Sequence, residues 1–153
     1  MADPNPARSL EPLAQSRCPD QHDYRLLSDF RYLIRRFLEF SEIAAQRVGL
    51  TSRQHQALLA IKGFPGNRSP TIGELAERLR VQHHSAVELV DRLVEAELTV
   101  RLHDPNDRRR VLLALTDTAE HHLFQLSAIH LEELQRLRPA LQQVLDRVGG
   151  DFR

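Results

Sequence analysis

Apolar positions recur at helical spacing through most of this chain. From about Gln21 to Arg47, Leu26, Phe30, Leu33, Ile34, Phe37 and Ala44 share one stripe, which Leu27 and Leu38 widen. Arg25, Arg31 and Arg35 fall mostly on the other side. A helix of that length overhangs the core of a small domain, so part of its apolar face is expected to meet a partner chain. In "GLTSRQHQALLAIKG", Gly49 ends this helix and Thr51 or Ser52 caps the next. "GFPGNRSP" reads as a loop. "TIGELAERL" opens with Thr71 and Glu74 in capping-box spacing and gathers Ile72, Leu75, Ala76 and Leu79 on one face. A further helix is predicted from about Gln82 to Ala96, burying Ala86, Leu89, Val90 and Leu93. "LTVRLHDPNDRRRVLLAL" then reads as two short apolar strands around a polar tip, a hairpin. From Thr116 to about Val148 the pattern is helical again, with Pro139 predicted to break or kink it.

Composition agrees with a soluble globular domain: of 153 residues, 41% are apolar and 27% charged. No apolar run approaches the roughly 20 residues needed to cross a bilayer. The first residues lack the basic-then-apolar order of a secretory signal, and Cys18 is the only cysteine, so the cytoplasm is the expected address. Net charge is zero, which leaves the placement of charge more informative than its sum. Lys62 is the only lysine among 21 basic residues, so the cationic chemistry is almost all guanidinium.

Only Arg80, Val81 and Gln82 separate the helix at Thr71–Leu79 from the one at His83–Ala96, the short connection of a DNA-binding helix-turn-helix. With Ala86, Leu89, Val90 and Leu93 turned inward, His83, His84, Ser85, Val87 and Glu88 remain to face base edges in the major groove. Arg92, one turn on, reaches phosphate or pairs with Glu88. The hairpin after this helix forms a wing whose tip reaches the minor groove. Arg108, Arg109 and Arg110 crowd that tip, and minor-groove potential attracts inserted arginine. Turn chemistry accounts for "DPND" but not for three adjacent arginines. A carboxylate beside a guanidinium can fix its rotamer and reduce the entropy lost on insertion. A winged-helix module that binds protein stays open as an alternative, because Glu88, Asp91 and Glu95 repel phosphate.

"GLTSRQHQALLAI", "TIGELAERLRV", "SAVELVDRLVEAELTVR" and "DPNDRRRVLLALT" resemble, in order and spacing, the MarR family of bacterial transcriptional regulators over about residues 22–148. The resemblance implies a winged-helix homodimer on palindromic double-stranded DNA operators, usually a repressor released by a small ligand or an oxidant. It implies that Asp107 is the orienting carboxylate and Arg109 the minor-groove arginine. It also implies an effector pocket between the dimer helices and the DNA-binding lobe, where Tyr32, Arg35, Arg36 and His55 are the nearest polar candidates and the arginines favour an anionic ligand. The chain departs from the family pattern at Arg80, Glu97 and Ala119, where glycine is common, and at Gln82, where serine usually caps.

The fold class expected is thus mainly α (α+β), a winged helix-turn-helix lobe at about 51–116 bracketed by dimerisation helices at about 21–48 and 117–148. An arm over residues 1–20, carrying Pro4, Pro6, Pro12 and Pro19, precedes the single domain at 21–153. A redox- or metal-responsive regulator is the other alternative. Cys18 lies in the Pro-rich arm, where a passive, exposed thiol is expected. His84 and Glu88, or His121, His122 and His130, do not supply the three or four converging ligands of a zinc site, so no metal is expected. No nucleophile–base constellation or Gly-rich phosphate loop is present, so neither an enzyme nor a cofactor is expected.

Overall fold

A computed structural model describes residues 18–150, and the order of elements is α1 (Gln21–Arg47), α2 (Ser52–Lys62), α3 (Ile72–Leu79), α4 (His83–Glu95), β1 (Thr99–His103), β2 (Val111–Leu115) and α5 (Asp117–Gly150). The protein is mainly helical with a two-stranded wing, and the long terminal helices α1 and α5 pack on each other. The proline-rich arm lies, up to residue 17, outside the described residues.

Local chemistry sets most of the helix starts. Asp20 caps α1 by accepting from the His22 and Asp23 N–H groups at 2.7 and 3.1 Å, and Asp23 returns a bond to the cap backbone at 2.8 Å. Thr51, rather than Ser52, caps α2 and shares a reciprocal box with Gln54. Thr71 and Glu74 form the same box at α3. Gln82 makes no side-chain cap bond at the start of α4, so the first-turn N–H groups there gain no acceptor from the cap residue. Arg80 and Glu97 sit at φ 58° and 56°, in the left-handed region that favours glycine. Those are two of the three positions where the family resemblance places glycine; the third, Ala119, lies inside α5.

β1 and β2 pair antiparallel with Thr99 opposite Leu115 and His103 opposite Val111. The chain entering α3 continues the sheet: Thr71 bridges to Leu112, and the Leu113 N–H donates to the Pro70 carbonyl at 2.9 Å. Ile61, Leu75, Val90 and Leu113 make one core inside this lobe. Ala44, Ala45, Leu50, Ala57, Leu58, Leu93, Leu98, Ala119, Leu123 and Leu126 make a second core that seats the lobe on α1 and α5. Leu33, Leu137 and Val144 form a third, between the distal parts of α1 and α5.

Thr116 ties three of these pieces together. Its hydroxyl donates to the Glu97 carbonyl at 2.7 Å and accepts the Ala119 N–H at 3.2 Å, and its own N–H donates to Leu98 at 3.1 Å.

Two expectations are corrected. Pro139 does not break α5, which runs through it without interruption. Proline there removes one helical N–H, but Pro139 is on the exposed side of the helix, where an unserved carbonyl costs least. Leu137, Ala140, Leu141 and Val144 pack with α1 on either side and hold the helix. Leu89, placed in the buried stripe of α4, is only half-buried, because it lines an open cavity between α1, α2 and α4.

A buried histidine lies where α1, α2 and α5 meet. His55 is 3% exposed, and its Nδ1 has no hydrogen-bond partner among the described residues. Its ring stands 4.8 Å from that of His130, which is bonded to the Leu126 carbonyl at 2.6 Å and to Ser41 Oγ at 2.9 Å and flanked edge-on by Phe37 and Phe40. Burial, and secondarily the charge of His130, lowers the His55 pKa. The unfolded chain therefore takes up a proton near pH 6.5 before the folded one does, and folding stability is full above that pH and lost as pH falls below it. His55→Leu should gain on the wild type progressively from pH 7 to pH 5 in urea unfolding; parallel pH curves for the two proteins would contradict this. At the strained and uncapped positions, Glu97→Gly and Gln82→Ser should each stabilise by roughly 0.5–1 kcal/mol, read as a higher urea midpoint at unchanged slope.

Candidate nucleic-acid interface

The turn between α3 and α4 closes on backbone bonds, from Arg80 N–H to Glu77 and from Val81 N–H to Ala76, at 3.1 and 3.0 Å. Beyond it α4 buries Ala86, Val90 and Leu93 completely. That leaves His83, His84, Glu88 and Arg92 exposed, with Ser85 and Val87 half-buried. Ser85, Glu88 and Arg92 border the cavity beside α2, so this edge of α4 faces Thr51, Ser52 and Arg53 as well as solvent. Asp91, read from the sequence only as a carboxylate that repels phosphate, is paired with Arg101 of β1 at 2.5 Å. The pair straps α4 to the wing, and no local pattern announces it.

The wing tip spans residues 104–110. The Asp104 N–H donates to the Arg110 carbonyl and the Arg110 N–H to the Asp107 carbonyl, each at 3.0 Å. Asp104 accepts from the Asn106 N–H at 2.8 Å and Asp107 from the Arg109 N–H at 3.0 Å. Asp107 thus holds the backbone at Arg109, and no ion pair joins its carboxylate to the Arg109 guanidinium. Both carboxylates are acting as turn residues. The three arginines differ. Arg110 lies 3.5 Å from Asp104 and 3.9 Å from Glu74, whereas Arg108 and Arg109 are exposed and have no ion-pair partner among the described residues.

Glu74 belongs to this site although the sequence marked it only as a cap. Arg68 grips it with two bonds of 2.9 and 2.6 Å while stacking 4.9 Å over Phe64, and the Thr71 N–H adds a third bond at 2.9 Å. Chiefly through Arg68, the Glu74 carboxyl is pulled down to about 2, so it stays charged at any physiological pH.

The four pocket candidates are not brought together. Tyr32, Arg35 and Arg36 lie on the exposed part of α1, with Arg36 5.9 Å over the Tyr32 ring. His55 is enclosed with His130 at the junction described above. None of the four lines the cavity of about 360 Å³ between α1, α2 and α4, whose walls carry Glu42, Arg53 and Arg92. Cys18 is exposed just before the Asp20 cap. The His121 and His122 rings are 6.5 Å apart, and among the described residues no three metal-ligating side chains converge. No helix of the described residues is long and apolar enough to cross a membrane.

Comparison with known proteins agrees with this geometry. A MarR family profile matches residues 48–110, from the end of α1 to the wing tip. The uncharacterized HTH-type transcriptional regulator YcgE of Bacillus subtilis (strain 168) is 35% identical over 99 residues, which cover 63% of this chain and 61% of that protein. Among solved structures, RV1404 from Mycobacterium tuberculosis superposes with a TM-score of 0.68 at 24% identity over 90% of this chain and 99% of that one. A MepR variant from Staphylococcus aureus, bound to an oligodeoxyribonucleotide, superposes at 0.62 and 17% identity over 88% and 100%. Helix-turn-helix and wing coincide with the residues that the MarR family profile matches, and the whole fold, flanking helices included, is similar to solved structures of that kind.

Proposed function

We propose that this protein is a sequence-specific, cytoplasmic transcription regulator that binds DNA as a homodimer, a repressor released by a small ligand. One observation carries the DNA reading. An α4 N-terminus that exposes His83 and His84 is followed in the same lobe by a hairpin tip with two guanidinium groups that have no ion-pair partner among the described residues. In this reading α4 enters the major groove with His83, His84, Ser85, Val87 and Glu88 toward base edges, and Arg92 toward phosphate. Arg109 enters the adjacent minor groove. The Asp91–Arg101 pair removes one of the carboxylates that would oppose this approach. The MepR complex with an oligodeoxyribonucleotide shows the same fold holding nucleic acid, and supports the assignment by likeness.

Homodimerisation is supported by apolar surface that a monomer would leave wet. On α1, Leu27, Phe30, Ile34 and Leu38 are exposed, and on α5 Phe124 and Leu131 are 78% and 61% exposed. Pairing these faces would set two copies of α4 in successive major grooves, roughly 34 Å apart. The cavity between α1, α2 and α4 suits an effector better than the surroundings of Tyr32, Arg35, Arg36 and His55 do. It joins the dimer helix to the recognition helix, and Arg53 and Arg92 suit an anion. A ligand favouring one setting of α4 would shift the population away from the DNA-spanning one.

The test is a gel-shift or anisotropy titration against the protein's own promoter region and a genomic fragment library. No specific binding at low salt would sink the reading. Arg109→Ala should weaken operator binding by about 1–3 kcal/mol without lowering the melting temperature, since the side chain is exposed and has no ion-pair partner among the described residues. Unchanged DNA binding by that variant, with capture of a protein partner intact, would favour a protein-interaction module instead.

A further inference from the structure

The base and the tip of the wing are held by different means. At the base, pairing of Thr71 with Leu112 and the bond from Leu113 to Pro70 extend the β1–β2 ladder, so backbone alone fixes where the hairpin leaves the lobe. Beyond His103 that ladder ends. Among the described residues, the tip's side-chain tie to the rest of the lobe is Arg110, whose Nη2 lies 3.9 Å from Glu74 Oε1 while its Nη1 lies 3.5 Å from Asp104 Oδ2. At these separations the contacts are electrostatic rather than hydrogen-bonded. Glu74 is an unusually firm anchor for such a contact. Two bonds from Arg68 and one from the Thr71 N–H hold its carboxylate at the first turn of α3, and Phe64 backs Arg68. A carboxylate already fixed by three donors loses little more freedom on meeting another cation, so the usual entropic cost of a surface pair falls mainly on Arg110.

We propose that Glu74 is a positioning residue for DNA recognition: by clipping Arg110 to the start of α3, it fixes the wing tip against the helix-turn-helix and leaves Arg108 and Arg109 as the groove-facing cations. This rests on the DNA reading above and divides the three consecutive arginines by role. Arg110 is part of the scaffold, and its neighbours are the contacts. Glu74 itself does not touch nucleic acid, and simple electrostatics opposes a carboxylate near phosphate. Loss of its charge would therefore tighten binding if charge were all that mattered. Positioning has the opposite sign.

The experiment titrates wild type, Glu74→Gln, Arg110→Ala and the double variant against the duplex recovered from the promoter screen and a scrambled duplex of equal length, over a salt series. Thermal melting of each protein accompanies the titrations. Glu74→Gln keeps an oxygen for the Thr71 N–H, and Arg110→Ala alters an exposed tip residue away from the core, so the second variant carries the test if the first fails to fold. Each single change is expected to weaken operator binding about three- to five-fold, the scale of a surface ion pair, with scrambled-duplex binding equal or tighter. The double variant should bind no more weakly than the single ones, and the salt slope of Arg110→Ala should equal that of the wild type. Operator binding by Glu74→Gln that is unchanged or tighter overturns the proposal. So do additive effects, or a salt slope reduced by about one in Arg110→Ala, which would make Arg110 a phosphate contact. If the wild type binds no duplex specifically, the DNA reading falls and takes this proposal with it. If the wild type binds and the variants match it, only the proposal falls.

Discussion

Burial of Ala86, Val90 and Leu93 sets the roll of α4 about its own axis, and the outer surface of the lobe depends on that roll. Val90 packs with Ile61, Leu75 and Leu113, which belong to α2, α3 and β2, so one side chain registers α4 against three elements at once. Leu93 does the same toward α1 and α5 through the second core. Turning α4 by one residue would expose both, at about 1.5–3 kcal/mol each. The exposed positions of His83, His84 and Glu88 are the geometric complement of that buried stripe. Surface chemistry here is decided from inside.

The lobe and the long helices solve the burial problem differently. α2, α3, α4 and the wing close a core among themselves, and its members are at most 5% exposed. α1 and α5 bury Leu33, Leu137 and Val144 against each other yet leave Leu27, Leu38, Leu131 and Leu145 in water. A stripe wider than its neighbour can cover is what the periodicity of Leu26 through Leu38 already displayed. The lobe is complete alone. The helices are not.

Much of this was legible because its causes are local. A cap at Thr51 or Ser52, the Thr71–Glu74 box, and the polar tip between two apolar strands each announce themselves within a few residues, and the structure has all three, with Thr51 as the cap. Gln82 lacks a cap bond, as its side chain implied, and Arg80 and Glu97 take the backbone conformation that the family pattern reserves for glycine. What escaped is what depends on distant partners. Glu74 reads as a cap until folding brings Arg68 and Arg110 to it, and Asp91 reads as a lone carboxylate until β1 brings Arg101. His55 looked like a pocket residue by position, but α5 fills that space with His130. Asp107 was assigned to a guanidinium, whereas the tightness of the turn commits it to a backbone N–H. Pro139 misled for the converse reason, since a rule about isolated helices was overridden by packing on both sides.

The corner at Thr116 has a mechanical consequence. One hydroxyl bonds back to the end of α4 through Glu97 and forward to the first turn of α5 through Ala119, while the backbone N–H of the same residue holds Leu98. Lys62 of α2 is pinned to Glu120 one turn further on, at 2.7 Å. Three pieces of the lobe are therefore referenced to the first turn of one long helix, beside the second core. Such a corner acts as a keyed joint: a displacement of that turn carries the end of α4, the wing base and α2 with it.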